Sequence, residues 1–212
     1  MEDAPCLPII GEAAPDFEAV TTQGPLKLSE LRGKWVVLFS HPADFTPVCT
    51  TEFVALAQAN PELEALNVKL IGLSIDSVHS HLAWVKNIEE KMGVKIPFPV
   101  IADLDMSVAK KFGMIHSGSS STATVRTVFF IDPEGTMRAM IYYPLTNGRY
   151  IPEIVRLVKA LQTTDRHKVS TPANWQPGEK VVVPPPKTAA EMEKRASEGY
   201  ECKDWYLCFK TI

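Results

Sequence analysis

Residues 41–53 read HPADFTPVCTTEF and set one cysteine, Cys49, three residues after Thr46 and two after Pro47. Pro47 suits the first position of a helix, because its fixed φ is helical and the N–H it lacks would have no partner there. Thr46 then takes the N-cap position and Cys49 falls in the first turn, where unpaired backbone N–H groups point toward its sulfur. Those groups and the helix dipole favour a thiolate over a thiol, and a neighbouring guanidinium would favour it further. Such a setting suits nucleophilic attack by sulfur. The alternative, that Cys49 is an ordinary small apolar residue, fits most cysteines but leaves the spacing of proline, threonine and cysteine without a reason.

The other cysteines, Cys6, Cys202 and Cys208, are too few and too scattered for the disulfide framework of a small secreted domain. Cys202 and Cys208 are six apart, wider than a usual zinc pair, and no histidine lies at ligand spacing from either. His79 and His81, two apart in a helical pattern, point to different sides of it. Neither a metal nor another cofactor is expected. Cys49 is followed by Thr50, Thr51 and Glu52, so a Cys-x-x-Cys dithiol of the thioredoxin kind is disfavoured.

The 212 residues, 45% apolar and 22% charged, suit one globular domain with an appendage. Twenty-two basic side chains against 25 acidic ones give a net charge of −3, which points to no nucleic-acid or anionic-membrane partner. The opening MEDAPCLPIIGEAAPDF lacks a basic start followed by an apolar run, and no apolar stretch approaches membrane-spanning length. A cytoplasmic protein is expected, where thiols that matter are catalytic, redox-sensing or metal-binding.

Strand and helix periodicities alternate around Cys49. WVVLFS (35–40) reads as a strand, followed by a helix from Pro47 that carries Phe53, Leu56 and Ala57 inward and breaks near Pro61. VKLIGLSID (68–76) is a buried strand, and residues 77–93 an amphipathic helix closed by glycine, with Leu82, Val85 and Ile88 on its inner face. FPVIAD (98–103) repeats the strand signal before a short helical stretch to Gly113, and residues 125–143 form a hairpin around Pro-Glu-Gly. IPEIVRLVKALQ (151–162) closes the compact part with a helix. This order predicts an α/β fold with a mixed sheet. Residues 1–163 form its domain, and residues 164–212 a proline-broken extension with one helix from about Thr188 to Ser197 and an aromatic tail at Trp205, Tyr206 and Phe209.

PADFTPVCTTE resembles the active-site motif of the peroxiredoxins: proline, three residues, threonine, two residues, cysteine. The similarity extends over almost the whole chain, including the hairpin with Arg126 and the stretch YYPLTNGRY. Within that family the chain is most similar to the one-Cys branch and its archaeal members, which carry the same kind of C-terminal extension. The resemblance implies a thioredoxin-like fold, with helices on both faces of the sheet. It also implies dimers assembling into decamers.

By the same resemblance, Cys49 is the peroxidatic nucleophile, its thiolate attacking a peroxide oxygen of hydrogen peroxide or an organic hydroperoxide to give a sulfenic acid. Thr46 holds the peroxide, Arg126 supports the thiolate and the leaving oxygen, and Pro42 shields the sulfur. His41, Glu52 and Arg149 resemble the histidine beside the cysteine, the glutamate that orients Arg126 and the second arginine of that network. The residues alone leave a structural histidine and a surface ion pair open for these three. Cys208 of a partner subunit would resolve the sulfenic acid, with Cys202 auxiliary or alternative, and a thioredoxin-like donor would return the dithiol. Cys6 is read as a bystander. The phospholipase elbow of some relatives is missing, since Lys34 stands where its serine would have to be. A decameric holdase chaperone or scaffold is the alternative function.

Overall fold

The computed structural model describes residues 7–195 and 197–212, so Cys6 lies outside the described residues. The chain forms two compact units, Met1–Ile151 and Pro152–Ile212. In the first, strands β1 (Glu18–Thr21), β2 (Gly24–Lys27), β3 (Trp35–Ser40), β4 (Val68–Ser74), β5 (Val100–Ala102), β6 (Arg126–Ile131) and β7 (Met137–Tyr143) make one sheet in the order β2-β1-β5-β4-β3-β6-β7. The β3–β4 and β4–β5 pairs are parallel, whereas β6 runs antiparallel to both β3 and β7. With helices α1 (Pro47–Ala65), α2 (Val78–Met92) and α3 (Ser107–Lys111) between the strands, this is the mixed α/β sheet that the element order predicts and the thioredoxin-like fold that the resemblance implies.

β3 and β6 are buried along their whole length, which is why WVVLFS and RTVFFI read as continuous β-branched and aromatic runs without polar alternation. Alternate residues serve opposite faces. Val36, Leu38, Ile71, Leu73, Ile101, Phe129 and Ile131 pack with Phe112 in one buried cluster. On the other side Phe39 meets Phe53 of α1 with ring centroids 5.5 Å apart, and Phe53 meets Trp84 of α2 at 4.5 Å. The β6–β7 turn closes through a bond from Gly135 N–H to the Asp132 carbonyl, with Gly135 at φ +81°.

Two helix expectations change. α1 runs through Pro61 to Ala65, because the loss of one backbone donor is outweighed where Ala57, Asn60 and Leu63 are buried around it. The inner face of α2 is His81, Trp84 and Ile88, while Leu82 is 45% exposed. A stripe through the larger Trp84 covers more apolar area, and Ser77 caps the helix by accepting from Ser80 N–H.

The second unit holds all but the first residue of α4 (Ile151–His167), together with β8 (Val181–Val182), α5 (Ala189–Arg195), β9 (Glu201–Asp204) and β10 (Leu207–Lys210). Its three strands form a sheet in the order β8-β10-β9 that the proline-rich sequence gives no sign of. A small core of Ala160, Val169, Trp175 and Val181 supports it. No described helix is long and apolar enough to cross a membrane.

Candidate active site

Thr46 takes the N-cap position of α1 with extended backbone (φ −108°, ψ 147°) and Pro47 is the first helical residue, so Cys49 stands in the first turn. The Thr46 side chain does not cap. Its hydroxyl donates back to the Ala43 carbonyl at 2.9 Å, while its own carbonyl accepts from Thr50. Phe45, just before it, turns the chain into the helix at φ +54° and is 58% exposed. Pro42 is half-buried directly after His41.

Cys49 is fully buried, and Arg126 Nη1 donates to its Sγ at 3.3 Å. The same nitrogen donates to Glu52 Oε2 at 2.6 Å, and Arg126 Nε to the Leu145 carbonyl at 2.9 Å. Glu52, one helical turn beyond Cys49, also receives Arg149: Nη2 on Oε2 at 2.6 Å, and both Nε and the backbone N–H on Oε1 at 2.8 Å. Arg149 Nη1 donates to the carbonyls of Ser40 and Thr127 at the end of β3 and the start of β6. Burial pushes the Arg149 guanidinium down from its ordinary value, and Glu52 pulls it back up.

Both arginines and the glutamate are at least 93% buried, so their reading as a surface pair does not fit. Two guanidinium groups against one carboxylate leave one surplus positive charge, and its nearest unfilled contact is the Cys49 sulfur. A thiolate there would make the buried group neutral, which is the cheapest state for charges withdrawn from water.

Residues 10–140 match the AhpC/TSA family and residues 160–199 the C-terminal domain of 1-Cys peroxiredoxin. A peroxiredoxin of Aquifex aeolicus is 59% identical, covering 97% of this chain and 98% of its own length. The chain belongs to the peroxiredoxin family. A peroxiredoxin of Methanosarcina mazei is 54% identical over 96% of this chain and 98% of its own. Among solved structures, a cysteine-to-serine mutant of peroxiredoxin 6 of Arenicola marina superposes with a TM-score of 0.86 at 39% identity, covering 96% of this chain and 97% of that one. A yeast mitochondrial 1-Cys peroxiredoxin gives 0.86 at 42% identity, covering 96% and 99%. This peroxiredoxin is accordingly a thiol-dependent peroxidase, an oxidoreductase acting on peroxide.

A second polar group beside the peroxiredoxin motif escaped the sequence reading. His41 Nε2 lies 2.9 Å from Asp44 Oδ1, and His81 Nδ1 lies 2.8 Å from Asp44 Oδ2. His81 Nε2 faces the Ile101 carbonyl at 3.1 Å, and all three side chains are buried. These atoms could face a cation together, but His41 Nε2 and His81 Nδ1 carry the protons they donate to Asp44, and a metal would have to displace both. The signal that could have revealed the group is a buried stripe through His81, Trp84 and Ile88.

Burial pushes the Asp44 carboxyl up, but the hydrogen bonds from His41 and His81 more than offset it and hold the group well below the usual carboxylate range. Burial drives His41 below its ordinary value of 6.5 against the pull of Asp44, and its Nδ1 has no hydrogen-bond partner among the described residues. Both depressed groups bind protons more readily when unfolded, so acid destabilises the fold. Stability contributed by Asp44 is complete above the ordinary value of 3.8 and is lost as pH falls toward its folded value. That of His41 declines as pH falls below 6.5. Urea titrations are expected to show the Asp44→Asn variant losing less stability than the parent between pH 4 and pH 2, a window set by that carboxylate shift. Equal acid sensitivity would contradict the assignment.

Cys202 and Cys208 lie elsewhere in the sequence and form a disulfide within the second unit, bridging β9 and β10 where the two residues stand directly opposite. Cys202 is exposed on β9, an edge strand, whereas Cys208 is 1% exposed on β10, the central strand of its sheet.

Proposed function

We propose that Cys49 is the peroxidatic nucleophile and that the surplus positive charge of the Arg126, Glu52 and Arg149 group is what keeps it a thiolate. The supporting observation is the 3.3 Å contact from Arg126 Nη1 to the sulfur. The thiolate attacks the distal oxygen of hydrogen peroxide or an organic hydroperoxide, the O–O bond breaks, and a sulfenic acid and an alkoxide or hydroxide result. Arg126 stabilises the leaving oxygen, Thr46 holds the peroxide, and Pro42 keeps water from the sulfur.

Cys208 of a partner subunit condenses with the sulfenic acid, releasing water and forming an intersubunit disulfide. Because Cys49 is fully buried, this step requires the first turn of α1 to open. Cys202 then attacks Cys208, which frees Cys49 and leaves the disulfide bridging β9 and β10. A thioredoxin-like donor reduces it, in keeping with the yeast mitochondrial 1-Cys relative, whose thiol resolving mechanism runs via glutathione/thioredoxin systems. The subunits pair as dimers and assemble into a decameric ring in the cytoplasm. An apolar groove of about 770 Å³ lined by Phe45, Trp84 and Met92 supports a face for contact between dimers, and sedimentation velocity measures the assembly.

Peroxide consumption is expected to fall to background in Cys49→Ser. After one equivalent of peroxide, non-reducing electrophoresis is expected to show a covalent dimer accumulating in Cys202→Ser, where the second exchange is blocked, and none in Cys208→Ser. A dimer persisting in Cys208→Ser would make Cys202 the resolving residue.

A further inference from the structure

The disulfide between Cys202 and Cys208 is unsymmetrical in a way that decides where electrons enter the second unit. Cys202 lies on the edge strand β9, exposed along its whole length, while Cys208 lies on β10 between β8 and β9 and is 1% exposed. A thiolate that reduces a disulfide must approach one sulfur along the S–S axis, from the side opposite the sulfur that leaves. Only the Cys202 end offers that approach from solvent. The Cys208 end is covered by its own hairpin, with Asp204 and Trp205 carbonyl oxygens 3.4 and 3.9 Å from the Cys208 sulfur.

We infer that Cys202 is the entry point for reducing equivalents, the external thiolate bonding to its sulfur and Cys208 departing as the leaving group. In the first step the donor sulfur forms a mixed disulfide with Cys202, the bond between Cys202 and Cys208 breaks, and Cys208 leaves as a thiolate. That thiolate takes a proton from solvent, and its S–H is then placed to donate to the Asp204 carbonyl. In the second step a further donor thiolate attacks the donor sulfur, releasing oxidised donor and Cys202. Two electrons pass from two donor thiols to one protein disulfide. The two cysteines thereby acquire separate duties: Cys202 meets the outside reductant, and Cys208 is regenerated as the free thiol that the resolving reaction consumes. This rests on the peroxidase cycle proposed above only for its purpose, since the direction of reduction follows from the hairpin.

The test uses the full chain as the Cys49→Ser variant, so that failure of the peroxidase reading has no bearing on its outcome. Cys6 is first blocked with N-ethylmaleimide, and mass analysis establishes the bond between Cys202 and Cys208; its absence from air-oxidised protein overturns the inference. Limiting glutathione is then added in one arm, and a thioredoxin whose second active-site cysteine is replaced by serine in the other. Each reaction is quenched in acid within seconds and the freed thiol is labelled with isotopic N-ethylmaleimide. The expected result in both arms is the donor on Cys202 and the label on Cys208, in excess of the reverse pattern by roughly tenfold or more. Donor on Cys208, or an even distribution, in either arm overturns the inference.

Discussion

Replacing Arg126 by methionine is expected to lower kcat/KM for peroxide by about 10²–10³-fold, the usual loss when a fixed donor to developing charge is removed. Methionine keeps much of the apolar volume, and Glu52 retains three N–H donors from Arg149, so the carboxylate stays paired. What disappears is the contact to the Cys49 sulfur at 3.3 Å and with it the surplus charge. A thiolate in the variant would be an unmatched buried anion. The rate of alkylation by iodoacetamide at fixed pH is therefore expected to fall along with peroxidase activity. Unchanged alkylation with slow peroxide reduction would confine Arg126 to the leaving oxygen, and normal rates in both assays would remove it from the site. Lysine at this position restores a charge but not the fork that reaches sulfur and carboxylate together, so only partial recovery is expected.

Glu52→Gln is expected to cost about 3–5 kcal/mol of stability, because removing one partner of a buried ionic group strands the charges that remain. Both guanidinium groups reach Glu52 Oε2 at 2.6 Å, so without the carboxylate two cations face each other behind the same helix. Coupling this change with Arg149→Met removes one of them and is expected to recover a large part of the loss. Urea unfolding of the single and double variants measures it. A cost below about 1 kcal/mol, the scale of a surface pair, would show that solvent reaches the group.

The placement of Cys49 in the first helical turn could be read from the sequence because its setting is local: Thr46, Pro47 and Cys49 lie within four residues, and proline at a first helical position carries its own reason. The long central strands were equally readable, since β3, β4 and β6 are nearly continuous apolar runs. Glu52, Arg126 and Arg149 came from family resemblance, because no local pattern brings together residues up to 97 positions apart. Asp44 went unread for the same reason, as its partner His81 is 37 residues away on another helix. The sheet of the second unit was missed because β8 has two residues and β9 is wholly exposed, so neither shows a period. The β1–β2 hairpin, four short residues a side at the sheet edge, failed similarly.

The four N–H groups gathered on Glu52 occupy both lone pairs of each carboxylate oxygen. Glu52, which shares Arg126 Nη1 with the sulfur, thus has no vacancy to serve as a proton shuttle. In the cycle proposed for Cys49, the alkoxide released as the O–O bond breaks would then take its proton from a source other than Glu52, so the pH profile of that step would not carry the titration of this carboxylic acid.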